Sequence, residues 1–226
     1  MAFGIKVWND YGSVLIDDQA PVYGVVAEGS ATTVSPTTQI GASSFSISYT
    51  GSADSAPIVA IRPSLLSSII GASRSSNTWT WTFNSALSIG ATVPWWVFDR
   101  PDPPAEDYGI KIFDAAGNVT YYTAQKPLRI RDVIEYDGDA PGGLTYDTGR
   151  LYAGGFITGC GQSNRIASGP GLFTLRVFSL GVRDTGAGTI QVAHHQHSQG
   201  SPAPAPGAGV VDLWEGALLV LDVTDF

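Results

Sequence analysis

The histidines of the chain fall within one short segment, at His194, His195 and His197. Neutral imidazoles bind transition metals and change charge near physiological pH, so this segment has the clearest chemical potential in the sequence. If the segment forms a strand, His195 and His197 point to the same face, a spacing that can chelate an ion. No cysteine lies near in the sequence, and Asp212 or Glu215 could complete a ligand set only through folding.

Two other interpretations of the histidine segment stay open. A polar edge strand or loop would carry these residues without any ligand, which is the usual outcome for a short metal-like motif. An oligomer would instead gather His195 or His197 at a subunit interface or symmetry axis, where they bind an ion or switch with pH. We therefore expect no resident metal or cofactor, keep His195 and His197 as weak metal candidates, and predict that they lie near such an interface.

The tryptophans offer a different chemistry, namely stacking on sugar rings or anchoring an interface. Trp79 and Trp81 alternate with threonines, so a strand directs both indoles to one face. An exposed pair would form a glycan platform, whereas a buried pair would belong to a sandwich core, the commoner place for aromatic residues. Trp95 and Trp96 face opposite sides of a strand, so at least one should meet solvent or a partner. Trp8 is a further interface candidate.

The remaining motifs do not assemble into an active site. The acidic segment 132–139 lacks the ligand register and the closing glutamate of a calcium-binding loop. The sequence contains no Gly-x-Ser-x-Gly nucleophile elbow. The glycine-rich segment 154–161 lacks a phosphate-binding lysine and a following helix, so it is predicted to form turns or a surface loop. We therefore expect the protein not to be an enzyme.

Strands are the elements predicted to position these residues, because apolar and polar residues alternate and turn-forming residues separate the runs. In the first half the predicted strands are 3–8, 13–17, 22–27, 44–49, 57–62, 78–83 and 92–98. In the second half they are 128–136, 151–157, 172–178, 189–197 and 210–223. Residues 64–70 are predicted to form a short helix, with a 3₁₀ turn or an extended loop as alternatives. Loops are predicted over 138–143 and 198–209, the second of which should project from the protein.

The opening hairpin of the chain occurs twice. Residues 3–14 return 105 positions later as residues 108–119, with five of twelve positions identical. Each copy predicts a strand, a turn closed by glycine, and a second strand, so Gly12 and Gly117 should have positive φ. Such a repeat at the start of two equal halves indicates a duplicated β-domain.

The predicted fold is therefore all-β, with two tandem antiparallel β-sandwich (jelly-roll-like) domains at 1–103 and 104–226. Three prolines within 101–104 cannot join a central strand ladder, so they mark a stiff boundary. Equivalent hairpin positions should be core positions in both domains. These positions are the pairs Phe3 with Tyr108 and Ile5 with Ile110.

Composition narrows the classes of partner. The net charge is −8 and the chain has only three lysines, which argues against a nucleic-acid partner. No apolar run approaches the about 18 residues of a spanning helix, so membrane insertion is not expected. Cys160 is the only cysteine, which predicts folding in a reducing cytosol. No secretory signal is visible, although a protein made in the cytosol can leave the cell inside a released particle.

The segment from Phe3 to Asp17 resembles the start of a family of small tail-associated virion proteins of tailed bacteriophages, which open on the same aromatic-Gly-Ile hairpin pattern. Residues 57–63, 81–83 and 96–98 are similar to the middle and end of that family, so the resemblance covers about residues 1–100. It implies a component of the tail tip or baseplate, and it carries no catalytic residues.

The resemblance implies a structural virion protein that is made in the host cytoplasm and assembles with itself and with other tail proteins. The alternative is a carbohydrate- or receptor-binding module that contacts the host surface. In that case Trp79, Trp81, or tyrosines such as Tyr121, Tyr122 and Tyr152 would stack on glycan.

Overall fold

The computed structural model describes residues 6–8, 14–17, 21–36, 42–100, 109–136, 142–156, 161–170, 172–199, 202–204, 209–214 and 216–226. Over these residues the chain forms strands and no α-helix. None of the described residues belongs to a helix long and apolar enough to cross a bilayer. The strands of the first half are β1 Lys6–Trp8, β2 Val14–Asp17, β3 Gly24–Thr32, β4 Ser43–Thr50, β5 Ile58–Ile61, β6 Ser67–Ser75, β7 Thr78–Ser85 and β8 Thr92–Asp99. Those of the second half are β9 Lys111–Phe113, β10 Val119–Tyr122, β11 Ile130–Tyr136, β12 Gly142–Thr145, β13 Tyr152–Phe156, β14 Gly161–Gly169, β15 Leu172–Gly186, β16 Thr189–Gln199, β17 Ala203–Pro204, β18 Gly209–Trp214 and β19 Gly216–Asp222.

Two large antiparallel sheets organise these strands. One has six strands in the order β11-β19-β13-β5-β8-β3. The other has nine, six of which follow the order β12-β16-β15-β6-β7-β4, while β14, β17 and β18 pair off this path. Buried apolar side chains of both sheets form one common cluster, so the sheets pack face to face. The prediction of an all-β antiparallel sandwich is confirmed.

The division of the chain at residues 103 and 104 does not separate two sandwiches. Strand β13 of the second half pairs with β5 of the first, and β15 pairs with β6. Each half alone would leave β5 and β6 with an unpaired edge, and the pairing across halves satisfies those backbone groups. The predicted arrangement of tandem domains 1–103 and 104–226 is therefore wrong, since both sheets contain strands from both halves.

Aromatic rings fill the centre of the space between the sheets. The Phe83 side chain is fully buried and stacks on Phe45, with ring centroids 4.8 Å apart and planes at 9°. Its other neighbour is Phe156 of the opposite sheet, which it meets in an edge-on arrangement at 5.7 Å. Phe83 thus contacts rings of both layers and joins the two halves of the chain.

Glycines allow the sheets to approach closely at β13. A Cβ atom added to Gly154 would lie 2.7 Å from Cγ1 of Val182 in the opposite sheet. A Cβ atom added to Gly155 would lie 2.8 Å from Cδ1 of Leu221. Gly154 and Gly155 lie in the buried central strand β13, which agrees with the predicted strand 151–157, so the competing prediction of turns or a loop at these positions is wrong. Glycine-rich composition indicated a turn here, but glycine also occurs in strands where packed layers leave no room for a side chain.

Three other local predictions are corrected by the pairing. The segment 64–70 is not a helix, because β6 begins at Ser67 and pairs with β7 and β15. Ser67 and Ser68 are both buried there, and the Ser67 hydroxyl is 2.8 Å from that of Ser85. Within the segment predicted to project, 198–209, β16 continues to Gln199 and β17 pairs with β15. Residues 142–143, predicted as loop, belong to β12.

The second copy of the repeated hairpin forms as predicted. β9 and β10 pair around a turn in which Gly117 has φ of 86°, and the Asp114 carboxylate accepts the Ala116 and Asn118 amides at 2.8 Å. β1 and β2 also pair, but Gly12 lies outside the described residues. Ile110 is 62% exposed, so its predicted core position is wrong. Its predicted equivalent Ile5 lies outside the described residues. So do the other predicted pair, Phe3 and Tyr108, and the prolines of 101–104.

A charge network fastens the last strand. Asp222 is 8% exposed, and its Oδ2 accepts Arg150 Nη1 while Arg129 Nη1 lies 3.9 Å away. Its Oδ1 accepts the Thr224 amide at 3.0 Å. Burial alone would raise the pKa of Asp222, but the Thr224 hydrogen bonds and the two guanidinium groups outweigh it and lower the pKa below 3.8.

Substituting Asp222→Asn should lower the free energy of unfolding at pH 7 by about 1–3 kcal/mol, because the amide loses charge-assisted hydrogen bonds. Because folding lowers the pKa of this carboxylate, its contribution to stability is complete above the ordinary pKa of 3.8. That contribution is lost as the pH falls through the lower pKa of the folded state. The free energy of unfolding, measured in urea from pH 7 to pH 3, should therefore fall less with decreasing pH in the variant than in the parent protein. Asp147, 4.0 Å from Arg150 and mostly exposed, provides the control: Asp147→Asn should change little.

Candidate functional site

A groove lies where the edge of the sandwich meets the second hairpin. It has a volume of about 430 Å³ and involves strands β3, β4 and β10, the loop after β4, and the residue that follows β8. We call it the tyrosine groove and define it by Val26, Tyr49, Thr50, Ser52, Arg100 and Tyr122. Residues from four separate segments of the chain thus converge on one concave surface.

The segment containing Tyr122 is held beside β3 by backbone hydrogen bonds. The Val22 amide donates to the Thr120 carbonyl at 2.8 Å, and the Val25 amide donates to the Lys126 carbonyl at 3.0 Å. A Cβ atom on Gly24 would lie 2.7 Å from Gln125, so the two segments are in close contact. This docking fixes Tyr122 at the mouth of the groove.

A buried polar network stands behind Arg100. The Asp99 side chain is 2% exposed and that of Ser55 is 4% exposed. The Ser55 hydroxyl donates to Oδ2 of Asp99, and the Arg100 amide donates to Oδ1 at 2.8 Å. Both carboxylate oxygens therefore have partners, and the backbone that carries Arg100 is anchored while its side chain stays exposed.

Gly51 brings the far wall of the groove close to this network. Its amide donates to the Asn77 carbonyl at 3.0 Å. A Cβ atom at this position would lie 2.5 Å from Oγ of Ser55 and 2.9 Å from Cε1 of Tyr49. Only glycine allows the chain to turn between these two side chains, so the position of the Tyr49 ring depends on it.

A second concavity continues the tyrosine groove along β3. It measures about 380 Å³, and it shares Val25, Val26 and Tyr122 with the first. Glu28 and Lys126 line its far part and place one charge of each sign there. The two together form an extended surface depression rather than an enclosed pocket.

The predicted tryptophan platform is not exposed as a pair. Trp81 is 4% exposed and belongs to the core, while Trp79 is partly buried and packs against the same cluster. Their rings stack at 6.2 Å with planes at 13°, as expected for two residues on one face of β7. The Arg74 guanidinium lies 5.3 Å from the Trp79 ring centre. Of the two interpretations, exposed platform or buried core, Trp81 therefore fits the core.

The adjacent tryptophans of β8 contact different clusters. Trp95 is partly buried and packs against the core between the sheets, where its ring lies over Gly29. Trp96 is 8% exposed and packs on the other face of the six-stranded sheet with Phe98. The prediction that they face opposite sides agrees with these contacts. Trp8 lies in β1, and its side chain is outside the described part of the chain.

The histidine segment lies in β16, as its strand prediction required. His195 is 9% exposed, and its Nδ1 is 3.1 Å from the Ser68 hydroxyl of β6. His194 packs beside Phe178 with ring centroids 6.2 Å apart. The side chain of His197 is not described. His195 therefore has a packing role within the chain, and its predicted place at a subunit interface stays a prediction.

The described part of the chain contains no arrangement of side chains suited to bind a metal ion. Among those residues, no group of three or more His, Cys, Asp or Glu side chains is arranged to hold an ion. The candidate site of this protein is thus the tyrosine groove, which brings together aromatic faces, hydroxyl groups and one cation.

The nine-stranded sheet continues from β15 through β14, β17 and β18. On one side of β15, β6 pairs with residues 181–182 and β14 pairs with residues 172–179. β18 then pairs with β14, and β17 pairs with the start of β15. We call β14, β17, β18 and residues 172–179 of β15 the extension. No described side chain of the extension belongs to either apolar core cluster.

The fold and the groove define an all-β antiparallel sandwich with an extension of one sheet and a polar, aromatic surface groove. Comparison with protein-family models, with curated proteins and with solved structures gave no match.

Proposed function

We propose that the protein is a non-enzymatic structural component of a bacteriophage tail tip or baseplate, which assembles with itself and with other tail proteins. The observation that carries the assembly role is the extension. The phage context comes only from the resemblance of residues 1–100 to tail-associated virion proteins. The extension bears on assembly and is neutral on that context.

The extension exposes apolar side chains on both of its faces. Leu172 is 37% exposed and Leu175 is 42% exposed, and their odd separation along β15 directs them to opposite sides. The described core clusters contain neither leucine, although Thr174 between them is 2% exposed, so packing against another chain would bury further apolar area. A symmetric contact between copies through the face that carries Leu175 would bury that side chain.

Purified virions provide the direct test of location. Mass spectrometry should detect the chain in particles freed of host debris, at a copy number that matches a tail symmetry. Its absence from intact particles would overturn the virion role, whatever the oligomeric state of the isolated protein.

Self-association should depend on the extension. Leu175→Asp is expected to weaken it by about tenfold or more, because a charge would replace an apolar contact at the buried centre of the interface. Ile89→Asp is the matched control, since Ile89 is also apolar and 59% exposed but lies in a turn of the sandwich. Analytical ultracentrifugation of the two variants measures the difference. A parent protein that stays monomeric at high concentration would contradict assembly through copies of itself.

A second candidate function, binding to a host-surface carbohydrate or receptor, is favoured by the tyrosine groove and not by the tryptophan pair. Tyr122 is one of the residues that the sequence suggested for glycan stacking, and it lines the groove together with Tyr49. The two functions are compatible, because a tail-tip protein can both assemble and contact the host.

A further inference from the structure

We propose that the tyrosine groove binds an acidic saccharide, whose carboxylate pairs with Arg100 and whose ring packs against Tyr49 and Tyr122. The proposal deepens the carbohydrate-binding candidate and does not depend on assembly into a virion. An isolated chain should therefore bind the sugar even if the protein is absent from particles.

Size and lining fit one or two sugar rings. The volume of about 430 Å³ falls within the roughly 300–1,000 Å³ of small-molecule sites. Tyr49 and Tyr122 are each partly buried and line the groove, so they present ring area to it. Thr50 and Ser52 are exposed and add two hydroxyl groups. Rings and hydroxyls together match the apolar faces and polar rims of a saccharide.

The charge of the ligand follows from Arg100. The chain as a whole carries a net charge of −8, so most of its surface does not attract an acid. Ion pairs among the described residues engage Arg62, Arg129 and Arg150 with aspartates, whereas none of those pairs involves Arg100. A planar guanidinium binds a carboxylate through two parallel hydrogen bonds, which makes Arg100 the natural partner of an acidic sugar.

The groove is organised before a ligand arrives. Asp99 holds the Arg100 amide, Ser55 holds Asp99, and Gly51 keeps the Tyr49 ring against Ser55. A site fixed in this way loses little conformational entropy on binding. Both oxygens of Asp99 accept hydrogen bonds from within the protein, so its carboxylate is already partnered when an acid binds.

An acidic peptide is the competing occupant and fits less well. An extended peptide would bind by adding a strand to the edge of β3, through main-chain hydrogen bonds. At the groove this edge is already used, because the Val25 amide donates to the Lys126 carbonyl. The groove therefore offers a ligand contacts with side chains rather than with the main chain, and such contacts favour a sugar over an extended peptide.

The test is a titration of the full chain with methyl β-D-glucuronide and, separately, with methyl β-D-glucoside, followed by ¹H–¹⁵N NMR. We expect the glucuronide to bind more tightly than the neutral glucoside. Arg100→Gln should weaken glucuronide binding by about tenfold and abolish the preference for the acid, since it removes a charge-assisted pair. Tyr122→Ala should weaken both sugars. Arg131→Gln is the control, because Arg131 is exposed on β11, which contributes no residue to the groove, and the substitution should leave binding unchanged.

The outcomes separate clearly. A native spectrum of each variant shows that loss of binding is not loss of fold. Binding of neither sugar, or equal binding by the parent and Arg100→Gln, would overturn the proposal. So would tighter binding of the capped peptide acetyl-Gly-Glu-Gly-amide at the same residues. A chain that binds glucuronide but is missing from virions would keep this proposal and defeat the structural role.

Discussion

Phe83→Ala should lower the free energy of unfolding by about 3–5 kcal/mol, among the largest effects of any single truncation in this protein. The ring is fully buried, stacks on Phe45 at 4.8 Å and meets Phe156 edge-on at 5.7 Å. Removing it takes away apolar burial and two aromatic pairs, and leaves a cavity between two sheets that strands from both halves hold in place.

Equilibrium unfolding in urea, monitored by tryptophan fluorescence, measures this loss. Phe113→Ala is the matched control, because Phe113 is 50% exposed on the second hairpin and its truncation should change stability by less than about 0.5 kcal/mol. Equal effects of the two substitutions would mean that Phe83 does not join the layers as described.

Local alternation in the sequence predicted the strands but not their partners. The predicted strands 78–83 and 92–98 correspond to β7 and β8 within two residues, because apolar and polar residues alternate there and turn residues follow. Pairing between β5 and β13 joins residues far apart in the chain, and no local period encodes it. The repeated hairpin suggested two domains, but a hairpin forms between neighbouring residues. It therefore carries no information about the sheets, which join strands from distant parts of the chain.

Strands without alternation were the ones missed. Around the start of β6 the apolar residues Leu65, Leu66, Ile69 and Ile70 have helical spacing, but Ser67 and Ser68 are buried by neighbouring strands on both sides. Tertiary packing thus overrode the local preference.

The candidate site was only partly visible in the sequence. Tyr122 was recognised as a residue able to stack on glycan. Tyr49 was not, because it continues the alternation of Phe45 and Ile47 and so suggests a core position. It does pack against the core, but it also reaches the groove at the end of β4. Arg100 adjoins a proline-rich segment that suggested only a boundary, and its role depends on Tyr122, which is distant in sequence.

Gly154→Val should lower the free energy of unfolding by about 3 kcal/mol or more, since overpacking a rigid core is costly. Even a Cβ atom would lie 2.7 Å from Cγ1 and 3.0 Å from Cγ2 of Val182. Val182 is fully buried and β-branched, so it cannot rotate away without meeting other core residues. The two sheets must separate at β13 or the strand must shift.

A double-mutant cycle in urea identifies the cause of that loss. Val182→Ala alone should destabilise the protein by leaving a cavity, yet in the Gly154→Val background it should recover stability, because the new side chain occupies the space of the lost methyl groups. Gly71→Val provides the control: no atom lies within 4 Å of a Cβ there, and its strand position is exposed. β-branched residues favour such positions, so this variant should be neutral or slightly stabilised. Strictly additive losses at residues 154 and 182 would show that the close approach of the sheets at Gly154 is not what the glycine provides.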